Sequence, residues 1–402
     1  MNAIKPYDVV LYGASGFVGR QTVAHFAAHA GGLRWALAGR NRHKLEAVRA
    51  AAGEGASGAG ILVADAADDT ALDALAASTR VVLSTAGPFA LYGSKLVNAC
   101  VAHRTHYVDI TGETPWVRSL IDAHHAQAAR DGTRIVPCCG FDSVPSDLGA
   151  WLLAMHFAAL GEPCMQVKAG FSLRGGFNGG TLASALNMLD EGQTQRMADP
   201  WLLNPAGDYP ATTALDEDPF APHHDADFNA WLGPFFMGPV NTRVVRRSAA
   251  LLGYGPQFHY QEYLRVGRGP AAALTAAGVS AGMIASQAAL RLAPLRYLAR
   301  RLAPAPGEGP SEARMDRGSF RCELVGHGVN GSTARATVAS RGDPGNRATT
   351  QMVCEAALAL AGDAAKLPGG KKRGGVLTPA SALGDLLVQR LRTVGMTFAL
   401  QA

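Results

Sequence analysis

The chain has 402 residues, 48% of them hydrophobic and 17% charged, and this composition predicts a folded globular protein with two domains. The net charge of +5 is mild, and no clustered stripe of lysine and arginine supports a nucleic-acid-binding class. The six cysteines have neither zinc-ligand spacing nor the density of a disulfide scaffold, so we expect no metal site and a reducing, cytoplasmic environment.

The N-terminal segment predicts the start of a dinucleotide-binding domain. Residues 8–12 have the pattern of a buried strand, residues 13–19 form a glycine-rich turn that opens a helix, and residues 34–38 suggest a second strand. The glycines allow a tight turn and close approach to a pyrophosphate, and the helix N-terminus supplies N–H groups and a positive dipole. The first strand begins so early that we expect no cleaved signal peptide.

The end of the second strand indicates which dinucleotide binds. Most NAD-binding domains have an Asp or Glu here for the ribose 2′-hydroxyl, whereas this chain has Gly39-Arg40-Asn41-Arg42. An arginine at this position can pair with a 2′-phosphate, so we predict that NADP(H) is preferred over NAD(H). Asp65 ends the third predicted strand, where the adenine end of the cofactor would lie.

Strand and helix patterns then alternate, which is typical of a parallel Rossmann-type sheet. Strands are predicted at residues 61–64, 81–85, 106–110 and 133–137, separated by helices at 41–52, 68–78, 94–103 and 115–130. Ligands of such sheets bind at the carboxyl ends of the strands. We therefore expect a shared cleft formed by residues 13–19, 39–42, 65, 85–89, 109–113 and 138–147.

The pattern changes after Asp147, and we place the boundary of the first domain, residues 1–147, at this point. Residues 148–375 are predicted to form an α+β domain for substrate binding or dimerisation, with an antiparallel or mixed sheet. Residues 376–402 are predicted to form a helix that returns to the first domain. The predicted elements after the boundary are a helix at 144–159, a strand at 166–174, a helix from about Thr181, a long loop with short pieces of structure at 199–239, an antiparallel pair at 321–325 and 334–339, and a helix at 346–361.

A helical insert at about residues 269–303 has an unusual composition. Residues 269–290 are uncharged and rich in Ala, Gly and Ser, and arginines then alternate with leucines from Arg291 onward. Three interpretations remain open: helices packed on the protein or on a partner subunit of a homodimer, peripheral contact with a membrane or lipid, and a transmembrane span.

Eight short motifs occur in order along the chain, at residues 13–20 (GASGFVGR), 38–41 (AGRN), 85–89 (TAGPF), 107–113 (YVDITGE), 139–147 (CGFDSVPSD), 179–181 (GGT), 342–345 (GDPG) and 374–380 (GGVLTPA). Together they resemble the saccharopine dehydrogenase-like oxidoreductases, in particular the branch of trans-acting enoyl reductases. The resemblance implies an NADP-type Rossmann domain and an α/β second domain. For the enoyl reductase branch it also implies reduction of a carbon–carbon double bond in a lipid or polyketide intermediate made for glycolipids. We therefore predict an NADP(H)-dependent oxidoreductase that acts on an enoyl or carbonyl group of a hydrophobic substrate.

Two other functions remain open. A saccharopine-type amino-acid dehydrogenase would bind a di-acidic product, and the chain shows no arginine set for this beyond Arg174. A non-catalytic NADP-binding, lipid-associated protein would need no proton donor. The short-chain reductase mechanism is excluded because no Tyr-x-x-x-Lys pair occurs in the chain.

Candidate site residues follow from the motifs and from the strand ends. Residues 85–89 are expected to form the wall beside the nicotinamide. The predicted cofactor-binding residues are Gly13, Ser15, Gly16, Phe17, Val18, Gly19, Gly39, Arg40, Asn41, Asp65, Thr85, Ala86, Gly87, Pro88 and Phe89.

The proton donor is less clear from the sequence. The foremost candidates are Asp142, Cys139 and Tyr107, with Asp109, Glu113 and Asp147 as further acids. Each has a structural alternative. Asp109 and Glu113 could order their loop, Cys139 could be a small buried hydrophobe, and Ser143, Ser146 and Asp147 could cap the following helix.

Overall fold

The computed structural model describes residues 5–175, 184, 187–188, 190, 194–302, 307–362 and 364–401. Its first sheet has seven parallel strands in the order β13-β6-β5-β4-β1-β2-β3. The order reverses between β1 and β4, and the carboxyl edge at such a reversal is where open α/β sheets bind their ligands. The strands are β1 (Tyr7–Tyr12), β2 (Trp35–Gly39), β3 (Gly60–Val63), β4 (Thr79–Ser84), β5 (His106–Asp109), β6 (Arg134–Val136) and β13 (Gly375–Val376).

Alternate residues of these strands enter two different hydrophobic cores. On β1, Val9 and Leu11 belong to one core, whereas Val10 and Tyr12 belong to the other. This division follows from the two-residue period of a strand, and it explains the nearly continuous apolar runs seen in the sequence. The helices connecting these strands are α1 (Phe17–His29), α2 (Arg42–Ala51), α3 (Asp69–Ser78), α4 (Phe89–Tyr92), α5 (Ser94–Ala102) and α6 (Thr114–Asp131).

The second sheet also has seven strands, in the order β14-β12-β11-β7-β10-β9-β8. Its central strands β7 and β10 are parallel, and the neighbouring pairs are antiparallel. The predicted fold class, a parallel Rossmann-type sheet plus an α+β part with a mixed sheet, is confirmed. The strands are β7 (Cys164–Arg174), β8 (His223–Asp225), β9 (Ala230–Pro234), β10 (His259–Gly267), β11 (Ser319–Gly328), β12 (Thr333–Arg341) and β14 (Thr397–Gln401).

The two sheets share helices, so the molecule is closely interwoven. Helix α7 (Val144–Ala159) packs its buried Leu148, Leu153 and Phe157 in the core between the sheets. The C-terminal stretch, predicted as a helix alone, also contributes β13 to the first sheet and β14 to the second. The remaining helices are α8 (Thr194–Met197), α9 (Gly238–Leu252), α10 (Gly269–Leu290), α11 (Ala293–Leu302), α12 (Glu312–Asp316), α13 (Thr349–Ala361) and α14 (Pro379–Thr393), with short turns at Glu54–Ala56, Pro344–Ala348, Ala364–Lys366 and Gly370–Lys372.

Residues 199–239, predicted as a long loop with short pieces of structure, contain the short strands β8 and β9. The difference from the prediction lies after them, where the sequence did not predict α9 and β10. Helix α9 lacks a recognisable apolar stripe because its buried face includes Arg243, Arg246 and Arg247. These guanidinium groups donate to backbone carbonyls, which makes their burial tolerable. The helix predicted from about Thr181 begins outside the described residues, as does the Gly179-Gly180-Thr181 motif.

Candidate active site at the junction of the two sheets

The glycine-rich turn has the geometry of a phosphate cradle. Gly13 has a φ of +81°, which favours glycine, and a Cβ on Gly19 would lie only 2.1 Å from the carbonyl oxygen of Gly13. Helix α1 starts after Gly16 without a side-chain cap, and its first turn has no acidic residue. The N-terminal N–H groups and the dipole of α1 are therefore available to an anion.

The ribose end of the predicted site contains a cation and two ordered turns. Arg40 is exposed directly after β2. Asn41 caps α2 by accepting from the Lys44 N–H at 3.0 Å, and Asp65 accepts from the Ala67 N–H at 2.9 Å. The pKa of Tyr12 is raised to about 12, first by burial and then by the Asp65 carboxylate, while Arg40 opposes the shift. Arg40 and Asp65 thus act on the same side chain at the end of β1, and Arg40 can meet a 2′-phosphate.

The loop after β4 is held in place by Glu113. The two Glu113 carboxylate oxygens accept from the N–H groups of Phe89 and Ala90, at 2.9 and 2.8 Å. The Thr85 hydroxyl donates to the Gly13 carbonyl at 3.3 Å and so connects this loop to the glycine-rich turn. Gly87 precedes a cis proline, and a Cβ on Gly87 would lie 3.8 Å from the Ser184 hydroxyl. Glu113 therefore orders the proposed nicotinamide wall, and both of its oxygens are already engaged.

Tyr107 and Asp109 are completely buried at the end of β5. Tyr107 lies in the core that α5 and α6 cover, and its burial raises its pKa well above the ordinary value. Asp109 accepts from the N–H groups of Thr111 and Cys138 at 3.0 and 3.1 Å. Burial raises the pKa of Asp109 to about 7, although these two hydrogen bonds oppose the shift. Neither side chain has access to a substrate in this structure, which argues against Tyr107 as the proton donor.

Cys139 and Asp147 have structural positions as well. The Cys139 thiol is buried in the core that contains α7, where burial raises its pKa well above the usual range. Asp147 accepts from the Ala380 N–H at 2.7 Å and from the Ser248 hydroxyl, and so joins α7 to α14 and α9. Burial raises the pKa of Asp147 to about 7. The burial of Cys139 and the hydrogen bonds of Asp147 argue against both groups as proton donors.

Ser143 and Ser146 do not make the capping bonds that the structural alternative suggested, whereas Asp147 lies in the first turn of α7, where an acid complements the helix dipole. Ser143 occupies the N-cap position but makes no side-chain capping bond. Its hydroxyl instead bonds Asn241 at 3.3 Å, and Ser146 donates to Glu262 at 2.8 Å. Both hydroxyls therefore tie α7 to the second sheet and its helix α9.

Asp142 differs from the other acids because it is partly exposed. A Cβ on Gly112 would lie 3.9 Å from Asp142 Oδ2 and 3.7 Å from Met237 Cε, so this carboxyl lies beside the loop after β5, and the start of α9 approaches the same loop. Burial raises the Asp142 pKa to about 6. No described residue makes a hydrogen bond or ion pair with its carboxylate. Asp142 thus combines partial exposure of the residue, a raised pKa and a carboxylate without a hydrogen-bond partner among the described residues, which suits a general acid.

A buried acid that the sequence did not predict as a site residue, Glu262, lies beside this site. Glu262 on β10 accepts from Ser146, Tyr260 and Asn241, at 2.8, 2.9 and 2.7 Å. Burial raises its pKa to about 8, because these hydrogen bonds offset only part of the desolvation. The alternating pattern of residues 259–267 was the signal for a strand, but its many polar residues concealed which face is buried.

Comparison with known proteins defines the class of this site. Residues 9–136 match the saccharopine dehydrogenase NADP-binding domain. The fold is similar to that of apo saccharopine dehydrogenase (L-Glu forming) from Saccharomyces cerevisiae, with a TM-score of 0.55, 14% identity and coverage of 98% of this chain and 100% of the yeast chain. Residues 9–136 therefore form an NADP-binding domain of the saccharopine dehydrogenase type.

Full-length relatives define the family more closely. The chain is 42% identical to a relative from Mycobacterium tuberculosis strain H37Rv that bears a trans-acting enoyl reductase designation, over 98% of this chain and 97% of the relative. It is 38% identical to trans-acting enoyl reductases of M. tuberculosis strain H37Rv and Mycobacterium ulcerans, again over 98% of this chain and 97–98% of theirs. The chain belongs to the trans-acting enoyl reductase family within the saccharopine dehydrogenase-like oxidoreductases. The predictions of family, enzyme class and NADP(H) as cofactor are confirmed.

Proposed function

We propose that this protein uses NADPH to reduce the carbon–carbon double bond of a hydrophobic enoyl substrate. The observation that carries the proposal is Asp142, a partly exposed carboxyl of raised pKa at the junction of the two sheets, in a chain whose full-length relatives are named enoyl reductases. The cradle at Gly13 and Gly19, with Arg40 nearby, fits a phosphorylated dinucleotide.

The protein's own task in this reaction is positioning and proton supply. Bound NADPH would supply a hydride to one carbon of the double bond, and the other carbon would then need a proton. We assign the donation of that proton to Asp142, because it is partly exposed and its pKa is raised. Glu113 fixes the loop at Phe89 and Ala90, so that the wall of the site is already ordered before substrate binds.

Apolar surface next to the wall supports a hydrophobic substrate. Leu91 and Tyr92, on the short helix α4 that follows residues 85–89, are exposed by 54% and 47%. Large exposed apolar side chains beside a catalytic loop provide a surface for an acyl chain. A lipid or polyketide intermediate is therefore the preferred substrate class over a di-acidic amino acid.

The reaction itself can be tested with the purified full-length chain. With NADPH and a long-chain 2-enoyl thioester, we expect NADPH oxidation matched by formation of the saturated thioester. A panel of carbonyl lipids and of 2-oxo acids with amino acids covers the alternatives. Turnover of the amino-acid panel without enoyl turnover would overturn the proposal, and tight NADPH binding without any turnover would favour a non-catalytic protein.

Replacement of Asp142 tests the proton donor. In Asp142→Asn we expect kcat to fall by about 10²- to 10⁴-fold, the range that a general acid contributes, with NADPH affinity unchanged. The pH profile gives an independent readout. With the pKa of Asp142 near 6, kcat of the unmodified enzyme should decline as pH rises above that value because the donor loses its proton.

Asp385→Asn provides the matched control, because Asp385 is exposed on α14 outside the site. It should keep the rate and the pH profile of the unmodified enzyme. An Asp142→Asn enzyme with the normal rate and the same decline above its pKa would remove Asp142 from the mechanism.

A further inference from the structure

The helical insert presents an apolar surface that the rest of the protein does not cover. We define the arm as helices α10 and α11 with the residues between them, 269–302. α10 is long and apolar enough to cross a membrane, but only 11% of its most apolar 18 residues are buried in the protein. The large apolar side chains of the arm are largely in solvent: Leu274 (75% exposed) and Ile284 (56%) on α10, Leu292 (58%) between the helices, and Leu295 (40%), Tyr297 (68%) and Leu298 (48%) on α11. Large apolar side chains exposed in this number along one segment indicate an interaction site.

Packing on the second sheet fixes how the arm can be used. The buried residues of α10 are Ala272, Ala276 and Ser280, spaced one helical turn apart along one stripe. A Cβ on Gly233 of β9 would lie 3.5 Å from the Ala276 carbonyl oxygen, so this stripe contacts the sheet closely. The helix could cross a bilayer only by leaving the sheet. The arm is therefore suited to lie on a surface rather than to span a membrane.

Helix α11 has the pattern of an interfacial helix. Leu295 and Leu298 are three residues apart and share one side, and Leu292 precedes them at the same spacing. Arg296 and Arg301 lie on the flanks of that side. Such a helix places its apolar side in the boundary between lipid headgroups and acyl chains, with its cations among the headgroups.

The charge of the arm selects between the candidate surfaces. Residues 269–302 contain no Asp or Glu, while Arg291 and Arg301 are exposed within it and Arg268 is exposed at its start. Arg296 already pairs with Asp190 at 3.2 Å. In a two-fold dimer through this arm, arginines of both copies would approach with no acid inside the arm to balance them. An anionic bilayer provides both the apolar layer and the negative charge.

We propose that the arm docks on an anionic membrane surface, lying parallel to it, with Leu292, Leu295 and Leu298 in the headgroup boundary. This places an oxidoreductase of hydrophobic substrates at a lipid interface, but the proposal does not depend on the substrate. The arm is far from Asp142 in the sequence.

Vesicle flotation of the full-length chain tests this proposal. We expect binding to vesicles of phosphatidylcholine mixed with phosphatidylglycerol, and much weaker binding to phosphatidylcholine alone. Leu295→Glu with Leu298→Glu should lower the partition coefficient at least about tenfold, since acidic side chains oppose both insertion and the anionic surface. Arg291→Gln with Arg301→Gln should lower the partition coefficient about fivefold per arginine. Added salt should also lower the partition coefficient of the unmodified chain, because it screens the attraction to the anionic surface.

The matched control carries the same changes elsewhere. Leu160 and Val329 are 59% and 56% exposed and lie outside the arm, so Leu160→Glu with Val329→Glu should bind vesicles as the unmodified chain does. Binding that is equally lost in this control, or unchanged in both arm variants, overturns the assignment. A chain that does not bind anionic vesicles but forms a dimer in sedimentation equilibrium would also overturn the proposal, if Leu295→Glu with Leu298→Glu dissociates that dimer. The arm would then join two copies of the chain.

Discussion

At the scale of single residues, the acids of this chain show how environment separates similar side chains. Asp109, Asp142 and Asp147 all have a raised pKa because they are removed from water. Hydrogen bonds commit Asp109 to its own loop and Asp147 to the start of α14, whereas the Asp142 carboxylate has no hydrogen-bond partner among the described residues. Access and hydrogen-bond commitment, rather than residue type, distinguish the candidate catalytic acid from the structural ones.

Arg40 is predicted to determine the preference for NADPH over NADH. In Arg40→Asp, NADPH affinity should fall by about 10- to 100-fold, the value of a hydrogen bond to a charged group, while NADH affinity is kept or improved. Isothermal titration with both cofactors measures this. Arg130→Asp makes the same charge change at an exposed position on α6 and should leave both affinities unchanged. Equal binding of NADPH and NADH by the unmodified protein would refute the role of Arg40.

Buried Glu262 is predicted to make the fold less stable as pH rises. Its folded pKa of about 8 lies above the ordinary 4.5, so between these values the folded state binds more protons than the unfolded state. The free energy of unfolding should therefore decrease with pH in this window, by at most about 1.4 kcal/mol per unit from this group.

Glu262→Gln should remove that part of the slope, measured as the difference in urea midpoint between pH 5 and pH 8. Asp109 and Asp147 also have raised pKa values, so part of the slope should remain. Exposed Glu54→Gln is the control and should keep the full slope. An unaltered slope in the Glu262 variant would mean that this carboxyl does not change its protonation on unfolding in that range.

At the scale of elements, the strand–turn–helix unit from β1 to α1 depends on the absence of side chains at two contacts. The turn passes so close to the helix that a Cβ on Gly19 would meet the backbone of both Gly13 and Ala14. The same closeness brings the N-terminus of α1 next to the glycine-rich turn, where the cofactor phosphate is predicted to bind. Close packing and cofactor binding therefore both require that residue 19 has no side chain.

Gly19→Ala should weaken both properties. With its Cβ 2.1 Å from the Gly13 oxygen, the backbone must shift, and we expect destabilisation of about 1–3 kcal/mol together with weaker NADPH binding. Urea denaturation and cofactor titration measure the two effects. Gly32→Ala is the control, because a Cβ at Gly32 meets nothing within 4 Å. It should be neutral or slightly stabilising. Equal behaviour of the two variants would disprove the close contact.

At the scale of the whole molecule, helices and strands from distant parts of the chain join the two sheets. Helix α13 covers the first sheet although it follows two strands of the second, and it carries Glu355, which pairs with His25 of α1 at 2.8 Å and with Arg390 of α14 at 2.7 Å. Arg247 of α9 donates to the Val376 carbonyl of β13 at 2.6 Å. These buried links hold the junction, and with it Asp142, in a fixed position relative to the cofactor domain.

The sequence by itself determined the local features. Alternating strands and helices, the glycine spacing and Arg40 after β2 are local patterns, and they were enough to predict a Rossmann-type sheet and NADP(H). The ordered motifs were enough to predict the family. These features are readable because each depends on backbone conformation or side-chain chemistry within a few neighbouring residues.

Only the tertiary structure decided which acids are committed and which surface is free. Asp147, Glu262 and the arginines of α9 have partners roughly 14 to 233 residues away in sequence, which no local pattern reveals. The strands of residues 199–267 were concealed because buried polar groups satisfied by such distant partners disturb the apolar periodicity. Likewise, the composition of the arm left three interpretations open, and only packing on β9 showed which of its faces remains uncovered.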